Sequence, residues 1–190
     1  MYTDDELFDI LNERGERTGE QMRRGEVHRT GALHGSVHIW VVRSRIDGEE
    51  VLLQKRAADK DSYPNCYDAA ATGHIDAGEE PLTAALREVS EEIGLTAKPS
   101  ELIPLFRKRV SEDNIFHGKR FVNNEITWVY LFSGEASEGS LSFEAAEISE
   151  LRWFPAEQLA TDLEIGAEGF CVDKKELSEV LRCRRDMRGE

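Results

Sequence analysis

The 190-residue chain has only three cysteines and five prolines, and no long apolar run. Cys66, Cys171 and Cys183 are odd in number and lack C-x-x-C spacing, which argues against a disulfide framework or a cysteine zinc site. Free thiols are expected. The most apolar short run, Ile39-Trp40-Val41-Val42, falls far short of the roughly 18 consecutive apolar residues that a membrane helix needs. The opening Met1-Tyr2-Thr3-Asp4-Asp5-Glu6 is acidic where a secretory leader is basic and then apolar, so a cytoplasmic protein is expected. Positive charge is scarce too: 24 Lys and Arg against 38 Asp and Glu leave a formal net charge of −14 at pH 7. That charge repels a phosphate backbone, so neither long nucleic acid nor an anionic membrane is an expected partner. Small anions can still be reached through a cation.

What is present suffices for a globular core: 39% of residues are hydrophobic, more than a disordered chain carries. The length suits one domain spanning residues 1–190, and no repeat or low-complexity linker marks a second. Leu7 to Leu11, the turn-like Asn12-Glu13-Arg14-Gly15 and the residues after Gly19 read as an N-terminal strand, turn and return. Val37 to Val42 and Val51 to Arg56 read as two strands joined by a hairpin at Asp47-Gly48. Pro81 opens a helix that Gly94 closes, because proline has no N–H to waste at the first helical position and glycine suits the left-handed cap. Leu102 to Val110, Glu125 to Phe132 and Ile148 to Phe154 read as further strands, and Lys174 to Arg185 as a terminal amphipathic helix.

The helix after Pro81 carries the chemistry. At 3.6 residues per turn, Leu82, Ala85, Leu86, Val89 and Ile93 share one face, while Glu88, Glu91 and Glu92 gather on another. Like charges at i, i+3 and i+4 cost a few tenths of a kcal/mol each, and Arg87 alone does not neutralise three of them. An acidic surface face in an acidic protein accounts for such a cluster equally well. Against that, Gly73 and Gly78 place a loop without Cβ atoms directly before the helix, where carbonyls can join a shell of oxygen ligands around Mg²⁺.

Residues 73–95 resemble, without a departure, the Nudix box G-x5-E-x7-R-E-U-x-E-E-x-G-U, with Gly73, Glu79, Arg87, Glu88, Val89, Glu91, Glu92, Gly94 and Leu95 in its fixed positions. From ordinary residue frequencies the chance of this match is below about 10⁻⁶, which excludes coincidence. The resemblance implies an α/β Nudix fold, a mixed sheet sandwiched between helices, and metal-dependent cleavage of the diphosphate bond in a nucleoside diphosphate derivative or another small organic diphosphate. It implies Mg²⁺ or Mn²⁺ held by Glu88, Glu91, Glu92 and the Gly73 carbonyl, with Glu79 and Arg87 orienting the carboxylates. The proton acceptor falls to Glu88 within the box or to Glu147 in a distal loop, preferred there over Glu144.

Over roughly residues 6–185 the chain also resembles isopentenyl-diphosphate isomerase, a Nudix-fold enzyme that moves a double bond. The resemblance rests on Leu7 to Gly15, the His28 and Leu33-His34 pair, Leu52 to Arg56 and Tyr63-Pro64-Asn65. That enzyme holds a metal with three histidines and two glutamates, which implies a second site at His28, His34, His74 and Glu125. Asn123, however, stands where the other glutamate belongs, and Thr72 stands at the catalytic cysteine. A threonine hydroxyl is a poor replacement for a thiol in proton transfer, so hydrolysis is expected over isomerisation. Neutral imidazoles with a carboxylate suit Zn²⁺, Mn²⁺ or Fe²⁺ better than Mg²⁺; the same histidines also read as hydrogen-bonded cleft residues. A non-catalytic nucleotide-binding domain is a further alternative, disfavoured by the intact carboxylates.

Trp40, Tyr63, Tyr67, Phe116 and Phe121 are available to stack on an organic group, while Trp128, Trp153 and Phe154 read as core. His38 is assigned to a sheet face. Arg182, Arg184, Arg185 and Arg188 read as a solvated helix end, and a homodimer is the assembly to test.

Overall fold

The computed structural model describes residues 6–189; the acidic start Met1–Asp5 and Glu190 lie outside the described residues. Strands β1 (Leu7–Leu11) and β2 (Arg17–Arg23) form an antiparallel hairpin. Asn12 Oδ1 closes its turn by accepting from the backbone N–H groups of Arg14 and Glu16, the self-bonding that makes asparagine a turn residue. A short helix, α1 (Arg24–Thr30), follows and ends on Gly31 at φ 74°.

The main sheet contains β3 (His34–Arg45), β4 (Gly48–Arg56), β5 (Tyr67–Ala69), β6 (Ala71–His74), β7 (Leu102–Phe116), β8 (Lys119–Phe132) and β9 (Ile148–Pro155). It is mixed: β3 runs parallel to β8 and antiparallel to β4 and β6. Its even and odd residues feed two cores. On one face Val37, Ile39, Val41 and Leu52 pack under α2 (Pro81–Ile93) through Ala84, Ala85, Val89 and Ile93. On the other, Trp40, Val42, Val51 and Leu53 pack under α3 (Ala156–Glu164) and α4 (Lys174–Arg188) through Leu159, Leu177, Val180 and Leu181. This is the expected sheet between helices. No helix among the described residues is long and apolar enough to cross a membrane.

Helix α2 starts at Pro81 and ends before Gly94, whose φ of 70° lets the following N–H, that of Leu95, reach Val89 O at 3.3 Å. Four readings change. Helix α1 carries His28 where no helix was expected, because a seven-residue helix with one buried aliphatic residue, Val27, has almost no periodicity to detect. Strands β7 and β8 run on as a polar hairpin through residues 111–124, turning at His117 and Gly118, both with positive φ. Trp40 is buried at 1% exposure instead of lying open, whereas Trp128 is only partly buried. At the end of α4, Arg184 binds Glu49 and the Val42 carbonyl, and Arg188 donates to Ser44 Oγ, so this end is clamped to the β3–β4 hairpin.

Candidate active site

Two donor clusters lie on either side of the end of β6. The first is built by α2 and the loop before it. Arg87 Nη1 lies 2.6 Å from Glu88 Oε1 and 3.3 Å from Glu91 Oε2, and its Nη2 donates to Glu79 Oε2 at 3.1 Å and to the His74 carbonyl at 3.0 Å. One planar guanidinium thus fixes three carboxylates and the strand end, a task suited to its five forked donors. Burial would lower the Arg87 pKa, but Glu79 and Glu88 outweigh it and hold the group charged.

Glu88 and Glu92 are both buried. Glu92 Oε2 accepts from Thr72 N at 2.7 Å and Gln54 Nε2 at 2.6 Å, while its Oε1 is buried with no partner. Burial, then Glu92, push the Glu88 carboxyl well up, and burial pushes Glu92 up to about 7. Gly73 makes room for this carboxylate: a Cβ at that position would lie 1.9 Å from Glu88 Oε1 and displace it. Glu91, Glu144 and Glu147 line the same cavity of about 400 Å³ as Glu88 and Glu92. Glu147 is also bound by the buried Lys60.

The second cluster comes from four elements: His28 on α1, His34 at the start of β3, His74 at the end of β6 and Glu125 on β8. One ring nitrogen of each histidine lies within 4.8 Å of those of the other two. Parallel pairing sets His34 opposite Glu125, whose Oε1 is 3.5 Å from His34 Nε2 and 3.2 Å from His74 Nε2. Glu125 Oε2 accepts from Ser36 Oγ at 2.8 Å. Arg24 Nη1 is 3.0 Å from His74 Nδ1; because arginine only donates, the His74 proton sits on Nε2, facing Glu125. Phe8 of the N-terminal hairpin stacks on His34 and His74 and Phe121 on His28, at centroid distances of 5.5, 4.7 and 4.1 Å.

Burial, then the neighbouring histidines, lower the His28 pKa to about 3; burial, then Arg24, lower His74 to about 4. Both rings are therefore neutral at pH 7. His28 Nε2, His34 Nε2 and Asn123 Oδ1 are buried without a hydrogen-bond partner. Such orphaned acceptors are costly and rare. Thr72, two residues before His74 on β6, accepts from Gln54 Nε2 at 3.3 Å. The sequence reading missed Arg24, Gln54 and Lys60; a buried polar residue within an otherwise apolar strand, as at Gln54, is the one signal that was available.

Fold and site together define an α/β protein with a mixed sheet between helices and an intact carboxylate box on α2. The NUDIX domain family matches residues 32–171, and the chain belongs to the Nudix hydrolase family, on its isopentenyl-diphosphate-isomerase-like branch. It is 34% identical over 156 residues to Nudix hydrolase 3 of Arabidopsis thaliana, covering 81% of this chain but only 20% of that protein. It is 32% identical to an uncharacterized Nudix hydrolase of Clostridium acetobutylicum over 94% of this chain and 88% of the relative. An isopentenyl-diphosphate Delta-isomerase of Cereibacter sphaeroides is 31% identical over 76% of each chain. The crystal structure of DR0079 from Deinococcus radiodurans shares the fold at a TM-score of 0.65 and 22% identity, over 94% of this chain and 99% of that one.

Proposed function

We propose that the chain hydrolyses the diphosphate bond of a nucleoside diphosphate derivative or another small organic diphosphate, using Mg²⁺ or Mn²⁺. The observation that carries this reading is the unpartnered Glu92 Oε1 beside Glu88, with Gly73 kept free of a Cβ so that Glu88 fits. Buried hard oxygen donors of one sign match a hard divalent cation, and Glu88, Glu91, Glu92 and the Gly73 carbonyl would hold it. When bound, such an ion neutralises diphosphate oxygens and lowers the pKa of water. Arg87 and Glu79 are positioning residues: Arg87 Nη1 bridges Glu88 and Glu91, and Glu79 holds the guanidinium from its other side. Glu147, or Glu88, takes the proton of the attacking water. Replacing Glu147 by Gln separates the two: loss of turnover assigns the base to the loop, retention to the box.

The test of the reading is the double substitution E91Q/E92Q, assayed for phosphate and nucleotide release across a diphosphate panel with Mg²⁺. Undiminished turnover rejects it. Isomerisation predicts dimethylallyl product from isopentenyl diphosphate, which Thr72 does not favour. A binding-only domain predicts thermal stabilisation by nucleotide with no turnover under any divalent ion.

A second reading concerns the histidines. We infer that His28, His34, His74 and Glu125 hold a borderline ion such as Mn²⁺, Zn²⁺ or Fe²⁺, carried by the convergence of three imidazoles on Glu125 and by the buried Nε2 atoms of His28 and His34, neither of which makes a hydrogen bond. His74 would join this set through Nε2 only with its proton moved to Nδ1 and Arg24 withdrawn from that nitrogen. Cytoplasmic residence and a homodimer complete the proposal, with light scattering as the check on assembly.

A further inference from the structure

A cavity of about 630 Å³ begins beside Thr72, Gly73 and His74 and reaches across β3 to the first turn of α4. That is the size of a small-molecule site. Its near end borders the diphosphate machinery; its far end is polar. There three donors converge on one buried carboxylate. His38 Nδ1 and Trp40 Nε1 lie 2.9 and 2.7 Å from Glu176 Oε1, and Lys108 Nζ lies 2.5 Å from Glu176 Oε2. Lys108 also meets Asp173, the N-cap of α4, at 3.1 Å.

Glu176 is 3% exposed, so its charge is stable only because these donors surround it. An ionised carboxylate only accepts, which places a proton on His38 Nδ1 and leaves Nε2 as the ring atom available to a ligand. His38 keeps a fifth of its side chain exposed and, like Lys108, lines the cavity. A hydrocarbon chain laid on this floor would strip water from His38 and Lys108 and return no hydrogen bond. A heteroaromatic or carbonyl-bearing group would replace that water, and the aromatic rings of Phe121 and Phe170 line the same cavity.

We propose that His38, held by Glu176 and flanked by Lys108, makes this cavity select diphosphates whose organic part presents hydrogen-bonding heteroatoms, as a nucleobase does, and reject hydrocarbon prenyl diphosphates. The inference rests on the proposed diphosphate site for the position of the phosphates. His38 is the specificity-determining residue. Its ring meets the organic group at the far end of the cavity, while Glu176 positions the ring.

The test is calorimetric titration of the full chain with the common nucleoside diphosphates and with isopentenyl and dimethylallyl diphosphate, with Ca²⁺ in place of Mg²⁺. At least one nucleoside diphosphate is expected to bind tenfold or more tightly than either prenyl compound. H38L, which leaves Trp40 and Lys108 on Glu176, should shrink that ratio at least tenfold, and K108M carries the same test if H38L does not fold. Prenyl binding equal or tighter, binding by neither class, or an unchanged ratio in the folded variant overturns the proposal. Selective binding without phosphate release in Mg²⁺ instead overturns the hydrolase reading alone and supports the selectivity.

Discussion

The carboxylate cluster on α2 and the histidine cluster across β6 are adjacent, yet they solve opposite electrostatic problems. The first crowds like charges: Glu88 and Glu92 are buried together, and Arg87 compensates only part of the repulsion. The second crowds imidazole rings around one carboxylate, Glu125, whose pKa burial would raise but His34 and His74 hold well below the usual range. One cluster asks for a hard cation and the other offers softer nitrogen donors, so the two should differ in ion, pH response and sensitivity to substitution.

The largest expected effect is on turnover. Glu92→Gln keeps the shape but removes a ligand charge; several kcal/mol of transition-state stabilisation, at about 1.4 kcal/mol per decade, predicts a fall of about 1000-fold in kcat/KM with Mg²⁺. Activity within tenfold of the parent would erase the distinction drawn for this cluster.

Stability gives the next effect, with opposite signs at the two clusters. Glu92 is raised to about 7, so its unfolded form gives up its proton first, and metal-free stability is lost as pH rises from about 4.5 through 7. His28 and His74 are lowered to about 3 and 4, so stability is lost as pH falls from about 6.5 toward those values. Metal-free Glu92→Gln should therefore melt above the metal-free parent at pH 8, by up to about 3 kcal/mol of stability, and the gap should close near pH 4.5. Thermal melts across pH in chelator measure it; a gap that widens in acid contradicts the assignment.

Arg87→Met tests positioning. It should raise the half-saturating Mg²⁺ concentration by about 10–100-fold, as loss of an outer-shell partner does. If kcat falls with no change in the Mg²⁺ curve, Arg87 acts elsewhere. Smallest is His34→Ala, expected to weaken Mn²⁺ or Zn²⁺ retention at least about tenfold. Elemental analysis after dialysis shows it, and equal metal content in parent and variant would reduce the histidines to cleft residues.

Legibility followed sequence distance. Helix α2 was readable because Pro81, the apolar face and Gly94 fall within one short stretch, and local propensity agreed with packing. The polar extension of β7 through Ser111-Glu112-Asp113-Asn114 was not, since those residues favour turns and are held as strand by pairing with 121–124. Glu176 lies among the charges of α4 and reads as solvent-facing. It is buried because His38, Trp40 and Lys108 arrive from two other strands.

What the sequence alone determined is the helix from Pro81 to Ile93 and the carboxylates of the Nudix box, because one α-helical turn suffices to bring i, i+3 and i+4 together. The tertiary structure decided which distant donors share a site. Parallel register puts His34 opposite Glu125, α1 delivers His28, and α4 carries Glu176 to His38, contacts across tens of residues that no local periodicity encodes.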